Sequence, residues 1–227
     1  MIKDKIKALT DDNQWLGGWY QAIEFPCGNR TISNRDIFKM DSKGEVKWEA
    51  IEHFLSKGNN FLEIGSNAGL YLILAKKHYK NIYGIEKSEY FYKQCQFVME
   101  QFKSKARVYL SDALDFDYKQ LPQMDIIFMA NTLYWVTYSD EEGFVEDHEN
   151  KMDRFLKTIA NKTKFFLTIG TDDINRVGGS LELTSPAVNK HFDILNDDVM
   201  VLNDRPINII YARSKYTKAN KKTTKKK

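Results

Sequence analysis

Cysteine is nearly missing from the sequence. Cys27 and Cys95 are the only two in 227 residues, and they lie far apart without metal-knuckle spacing. A disulfide-stapled secreted module is excluded, and two buried or partly buried thiols in a reducing compartment are expected. No run of about 18 apolar residues occurs, so no membrane-spanning helix is predicted. The opening stretch, MIKDKIKALTDDNQ, places lysine and aspartate where a secretory leader needs an apolar centre. The reading is a cytoplasmic protein. No internal repeat is visible. Acidic residues are absent from the last thirteen positions, KYTKANKKTTKKK, which hold seven lysines. Setting those seven aside turns the net charge of +3 into a net negative body. Such a tail is expected to be solvated and disordered, with at most a salt-sensitive attraction for a polyanion such as RNA.

What is present is ordinary for a soluble globular chain, 42% hydrophobic and 29% charged, with length for one domain and a real core. From about residue 60, short apolar runs alternate with amphipathic segments, the pattern of βαβ units on a mostly parallel sheet. The runs are Phe61–Ile64, Ile82–Ile85, Arg107–Leu110, Asp125–Met129 and Lys164–Ile169. Helices are predicted over Leu70–Tyr79, after an N-cap at Ser88, and over Phe144–Ala160. Ser185-Pro186 reads as the cap and first position of a short helix to about Lys190. Val199–Leu202 and Ile207–Arg213 then read as an antiparallel hairpin closing the sheet edge. The expected fold is α/β, a three-layer sandwich around a mostly parallel seven-stranded sheet whose last strand is antiparallel. Residues 1–58 form an N-terminal helical extension, with a helix at Lys47–Leu55. Residues 59–214 form the main domain, and 215–227 the basic tail.

The segment FLEIGSNAGLYL (Phe61–Leu72) poses the cofactor question. Its glycines fall as G-x-x-x-G at Gly65 and Gly69, with Ser66 and Asn67 between them. That spacing is wrong for a dinucleotide fingerprint, whose glycines bring pyrophosphate to a helix N-terminus. S-adenosyl-L-methionine (AdoMet) carries no phosphate but offers an ammonium group, a ribose diol and an adenine. Glu63 supplies a carboxylate for the ammonium. Glu86, at the end of the second strand, is placed for both ribose hydroxyls. Asp112 and Ala113 follow the third strand, where an acid and a backbone amide suit the adenine edge; Ala130 closes the site at the end of the fourth. Any one of these acids is also read as a solvated strand end. Three at the carboxyl ends of successive strands point to the ligand edge of an open α/β sheet.

Five βα units followed by a hairpin, with the segment Phe61–Asp112, resemble the class I AdoMet-dependent methyltransferases. A narrower resemblance runs over about 19–212 through WYQAIEF (Trp19–Phe25), KWEAIEHFL (Lys47–Leu55), FLEIGSNAGLYL and DIIFMANTLYW (Asp125–Trp135). It is to the tRNA wobble-uridine 5-oxyacetic acid methyltransferases and their relatives of unassigned substrate. The resemblance implies transfer of a methyl or carboxymethyl group to an oxygen. In the carboxymethyl enzymes a lysine and a tryptophan hold the extra carboxylate of carboxy-AdoMet. Lys47 matches the lysine, but Ser42 stands where the tryptophan belongs, and Trp135-Val136 replace a histidine and an arginine. Ordinary AdoMet is therefore the expected donor.

On the acceptor side, Tyr134 is the candidate catalytic residue. Trp19, Tyr20, Arg30, Lys47, Tyr134 and Trp135 are the candidate substrate contacts. Each has a plainer reading, as a packed aromatic, a lid, or a pin for the extension. Metal-assisted O-methylation wants acids after the fourth strand, and MANTLYW offers none, so no metal is expected. The N-P-P-Y of amino-group methylation survives only as Asn131 and Tyr134. The acidic run SDEEGFVEDHE (residues 139–149) follows closely and disfavours a phosphate backbone at the mouth. Two acceptors stand side by side, a small molecule such as a sugar and a tRNA wobble base. A non-catalytic AdoMet-fold RNA-binding or regulatory protein is the alternative. A basic funnel built from Arg30, Arg35, Lys39 and Lys47 would favour RNA.

Overall fold

Strands that are apolar at consecutive positions must be covered on both faces, and a sheet of that kind organises this chain. The computed structural model describes residues 2–10, 19, 21–31, 43–139, 143–144, 147–171, 181–202 and 205–217. Its main sheet contains β1 (Gly58–Ile64), β2 (Tyr79–Glu86), β3 (Arg107–Leu110), β4 (Met124–Ala130), β5 (Thr163–Thr171), β6 (Phe192–Leu202) and β7 (Arg205–Ser214). These seven strands lie in the order β3-β2-β1-β4-β5-β7-β6. Strands β1 to β5 pair in parallel, and β7 runs antiparallel to both β5 and β6. The expected fold class holds, including the antiparallel last strand. Because the chain steps outward from β1 to β3 and then returns to the other side of β1, the order reverses between β1 and β4. A crevice opens at the carboxyl ends of strands at such a switch point.

Helices α1 (Ile2–Ala8), α2 (Lys43–Glu52), α3 (Leu70–Leu74), α4 (Glu89–Gln101), α5 (His148–Lys162) and α6 (Leu181–His191) flank the sheet. Strand alternation divides the core in two. Phe61, Phe128 and Leu167 face one layer with Trp48 of α2, Leu72 of α3 and Val98 of α4. Leu62, Met129 and Phe166 face the other with Phe155 and Ile159 of α5 and Val188 of α6. The extension shares the first layer. Trp19, Gln21, Ile23 and Phe25 are all buried, alternating with more exposed neighbours at Ala22 and Glu24. At the chain's far end His191, buried, contacts Asp153 of α5 (Nε2 to Oδ1, 3.1 Å) and the hydroxyl of Tyr216 (2.9 Å).

Several boundaries differ from the sequence reading. The helix after the glycine loop ends at Leu74 and tightens into a 3-10 turn at Ala75–Lys77, because β2 already begins at Tyr79. Phe144 is not helical. Gly143–Phe144 pairs antiparallel with Tyr138–Ser139, and Asp147, at φ +61, breaks the backbone before α5 starts at His148. Pro186 lies inside α6 rather than at its start. Its ring fixes a φ that a helix accepts, and the local loss is one bond to the carbonyl four residues earlier. The extension helix runs Lys43–Glu52 instead of Lys47–Leu55. Cys95 is buried as expected, while Cys27 is exposed. Ser88 does cap α4, its hydroxyl accepting from Phe91 N at 3.4 Å. Among the described residues no helix is long and apolar enough to cross a membrane. The tail from residue 218 lies outside the described residues.

Candidate functional site

The loop from β1 to α3 is fixed by backbone hydrogen bonds to the neighbouring strand. Gly65 N and Ser66 N both donate to Ile85 O, at 2.8 and 3.1 Å. Gly65, Asn67 and Gly69 take positive φ values of 77°, 49° and 89°. Asparagine tolerates that region better than most residues, and its carboxamide Oδ1 accepts from Ala68 N at 2.7 Å. The glycines are needed as much for packing as for conformation. A side chain at Gly65 would strike Thr132, just beyond β4. One at Gly69 would meet Met99 Cε at 2.7 Å and Cys95 Sγ at 2.8 Å, both on α4. The loop is thus drawn down onto α4 and onto the outlet of β4.

Two carboxylates flank this loop. Glu86 ends β2, is nearly buried, and accepts from Asn67 N through Oε2 (2.7 Å) and from Ser88 N through Oε1 (2.9 Å). Burial raises its carboxyl above the usual range, and the backbone donors partly offset this. Each oxygen retains a lone-pair direction for a hydroxyl, since a carboxylate offers about four acceptor sites. Glu63 is fully buried, and neither of its oxygens has a hydrogen-bond partner. Desolvation, then the negative charge of Glu86, pushes its carboxyl well above the ordinary value. The same two carboxylates, after burial, push the Cys95 thiol up, which places all three groups in one neighbourhood. Ser66 Oγ is a further buried atom without a partner.

These features fit AdoMet. A desolvated carboxylate lacking a donor suits an ammonium group, and Glu86 with open lone pairs suits a vicinal diol. Phosphate fits badly, because the buried ionisable groups next to the loop, Glu63 and Glu86, are acids. Asp112 is half-buried beyond β3 and accepts from Leu114 N at 2.8 Å, while Ala113 O accepts from the Tyr118 hydroxyl at 3.0 Å. Ser111 N donates to Glu86 O at 3.0 Å, so Asp112 and Ala113 follow directly on the Glu86 strand end. Ala130 closes β4, and Asn131 turns the chain at φ +51, donating its N–H to Ile169 O at 2.7 Å.

The expected acceptor contacts separate. Trp135 is half-buried in the 3-10 turn Leu133–Thr137 after β4, its N–H donating to Thr132 O at 2.9 Å. Tyr134 shares that turn, its side chain outside the described residues. Trp19, expected at the mouth, is 2% exposed instead. It packs edge-on to Phe25 and Phe97, and its indole N–H donates to Ile6 O at 3.3 Å. Its surface is committed to fastening the extension. Lys47, also expected at the mouth, is buried at 4% on α2 beside Trp48, which packs against Tyr71, Phe61 and Phe128. Arg30 is exposed on a hairpin bridged to Glu24, whose Phe25 contacts Phe97 of α4 and Phe102 at its C-cap. Of the four cations whose clustering would favour RNA, Lys47 is buried and Arg30 exposed. Tyr20, Arg35, Lys39, Ser42 and most of the acidic run fall outside the described residues. Two histidines have structural partners, His78 with Glu52 at 2.8 Å and His191 as above. Among the described residues no three His, Cys, Asp or Glu side chains cluster as a metal site.

Two residues of the site escaped the sequence reading. Gln21 Oε1 accepts from Leu70 N at 3.0 Å, so the extension caps the first turn of α3. Its signal was a polar side chain in the buried parity of Trp19, Ile23 and Phe25. Thr132 props Gly65 and bonds back to Ala130 O at 2.8 Å; no spacing rule marks it.

Residues 62–160 match the family model described as a methyltransferase domain. No curated protein matches. Among solved structures, the chain is similar to the N-methyltransferase NodS from Bradyrhizobium japonicum WM9 in complex with S-adenosyl-L-homocysteine. The TM-score is 0.62 at 15% identity, over 93% of this chain and 97% of that one. The N-terminal domain of EvdMO1 with S-adenosyl-L-homocysteine bound gives 0.61 at 17% identity, over 94% and 95%. Against the longer EvdMO1 chain, this protein spans 47% of its length. TrmK of M. capricolum, also with S-adenosyl-L-homocysteine, gives 0.55 at 14% identity over 74% and 68%.

Proposed function

We propose that the protein is an AdoMet-dependent methyltransferase that methylates an oxygen of a small hydroxylated acceptor, such as a sugar, a reading supported by the methyltransferase-domain match over residues 62–160. The observation that carries this choice over a tRNA wobble uridine is the placement of the cations. Lys47 is 4% exposed and so is withdrawn from a phosphate backbone, which leaves Arg30 as the described member of the four-cation set at the surface. The acidic neighbours Glu86 and Asp112 oppose a phosphate backbone as well. The N-terminal domain of EvdMO1, a protein of the same fold solved in the presence of S-adenosyl-L-homocysteine and D-fucose, lends support.

AdoMet would be held by Glu63 at its ammonium group, Glu86 at its ribose and Asp112 with Ala113 at its adenine, and supplies an electrophilic methyl when bound. Gly65, Ser66, Asn67, Gly69 and Ala130 shape the floor beneath it. Methyl transfer is an in-line displacement, so alignment supplies most of the rate. The 3-10 turn that carries Tyr134 and Trp135 leaves β4 beside this floor, where Trp135 would shield the acceptor from water. Tyr134 would take a hydrogen bond from the acceptor hydroxyl and orient its lone pair.

The test incubates the protein with AdoMet and a panel of free sugars and glycosides, read by mass spectrometry. One added methyl group on a hydroxyl is expected. Methylated amines in place of hydroxyls would overturn O-transfer. Loss of modified wobble uridines from the tRNA of a deletion strain would restore the RNA acceptor.

A further inference from the structure

The cofactor site uses only the carboxyl ends of the parallel strands. Around those ends stand Glu86, Asp112, Asp197 and Asp198, with Lys87 after β2 and Glu89 paired to Lys93 at 2.8 Å. At the amino ends, the turns entering β1, β2 and β3 carry exposed cations. Lys57 precedes β1, Lys76, Lys77 and Lys80 surround the start of β2, and Lys105 and Arg107 enter β3. None of these six forms an ion pair with a described residue. Among the described residues the nearby acids are Glu52, held by His78 at 2.8 Å, Glu100 at the end of α4, and Asp125, which accepts from Asn59 N and Asn60 N and pairs with Lys164 at 2.6 Å. Neighbouring strands are spaced by roughly 4.8 Å, so the six cations lie along a narrow strip. The carbonyl end of α4 favours one or two lysines there; six across three strands exceed that need.

The tail begins on the same edge. β7 runs antiparallel, so Ser214 ends it beside Phe192, at the amino end of β6. The described chain leaves at Thr217, and the next ten residues hold six lysines and no acid. Three strand spacings, roughly 14 Å, separate β7 from β1. Among the described residues, Tyr216 is the one exposed large apolar side chain at this end. A membrane-seeking surface adds apolar anchors to its charge, whereas a phosphate backbone requires only spaced cations.

We propose that the amino-end strip of β1–β3 docks the phosphate backbone of a nucleic acid on the side opposite the methyl-transfer crevice. The nucleic acid on this face is a scaffold or localising partner, not the methyl acceptor. Seven-residue strands separate the two ends by roughly 20 Å. The inference stands apart from the choice of acceptor.

The experiment titrates the full chain into a fluorescein-labelled single-stranded oligouridine at several salt concentrations, and in parallel into phosphatidylserine vesicles. Oligonucleotide affinity is expected to fall log-linearly with salt. The variant K80E/K105E/R107E should bind at least tenfold more weakly, with a slope smaller by about two, since each lost contact contributes about 0.7. AdoMet binding by calorimetry should be unchanged, which also reports that the variant is folded; should charge reversal unfold it, K80Q/K105Q gives the same reading more gently. Removal of 218–227 should weaken binding without abolishing it. An unchanged affinity and slope in the strip variant overturns the proposal. So does complete loss of binding on tail removal alone, or binding to vesicles without binding to the oligonucleotide.

Discussion

Glu86 holds two parts of the fold together before any cofactor arrives. Its oxygens accept from Asn67 N and Ser88 N, tying the glycine loop to the cap of α4. A Glu86→Gln variant keeps the size but turns one acceptor into a donor facing a backbone N–H. Charge-assisted bonds contribute about 1.5–3 kcal/mol, so AdoMet affinity should fall between tenfold and a hundredfold by calorimetry, with some loss of thermal stability. An unaltered affinity would place the ribose elsewhere. Glu63 makes a different prediction. Its folded-state carboxyl is raised above the unfolded value. The stability of its protonated form is therefore fully present below the ordinary carboxylate range and is lost as pH rises through the raised value. Glu63→Gln, neutral throughout, should melt like the parent at acid pH and above it at pH 8, while binding AdoMet more weakly. Equal melting differences at both pH values would show that Glu63 is not desolvated in solution.

At the scale of elements, the extension acts on the site through Gln21. Its carbonyl oxygen accepts from Leu70 N, and the Thr31 hydroxyl, bonded to Gln21 O and Ile23 N, fixes that stretch of chain. Gln21→Ala leaves a buried N–H without an acceptor, a loss of about 1–3 kcal/mol. Urea unfolding should register it, and AdoMet affinity should drop although Gln21 itself need not touch the cofactor. Much of the element order was legible in sequence, because buried parallel strands read as apolar runs and the loop glycines mark a strand-to-helix turn. The carboxylates Glu63, Glu86 and Asp112 were legible for the same reason, as strand ends count off in order. Trp19 and Lys47 were misplaced because sequence spacing records neither face nor depth: Trp19 fits a mouth or a pin equally well until Phe97 packs against it. Asp147 and Pro186 misled at helix ends, where one backbone angle outweighs the apolar period.

For the molecule as a whole, cofactor and fold should be strongly linked. The loop joins β1, β2, α3 and α4, and Thr132 and Gln21 bring in β4 and the extension. A ligand seated there contacts elements far apart in the chain and binds only the folded state. At a free concentration one hundred times its dissociation constant it should stabilise by about 2.7 kcal/mol. For a domain of this size each kcal/mol moves the melting midpoint by roughly 2–4 °C, so AdoMet should raise it by roughly 5–11 °C in differential scanning fluorimetry. NAD should leave it unchanged, since the buried groups beside the loop are acidic and the spacing offers no pyrophosphate seat. Glu86→Gln should lose most of the AdoMet shift at fixed ligand concentration and recover it as the concentration is raised. A shift produced by NAD and not by AdoMet would overturn the cofactor assignment while leaving the fold intact.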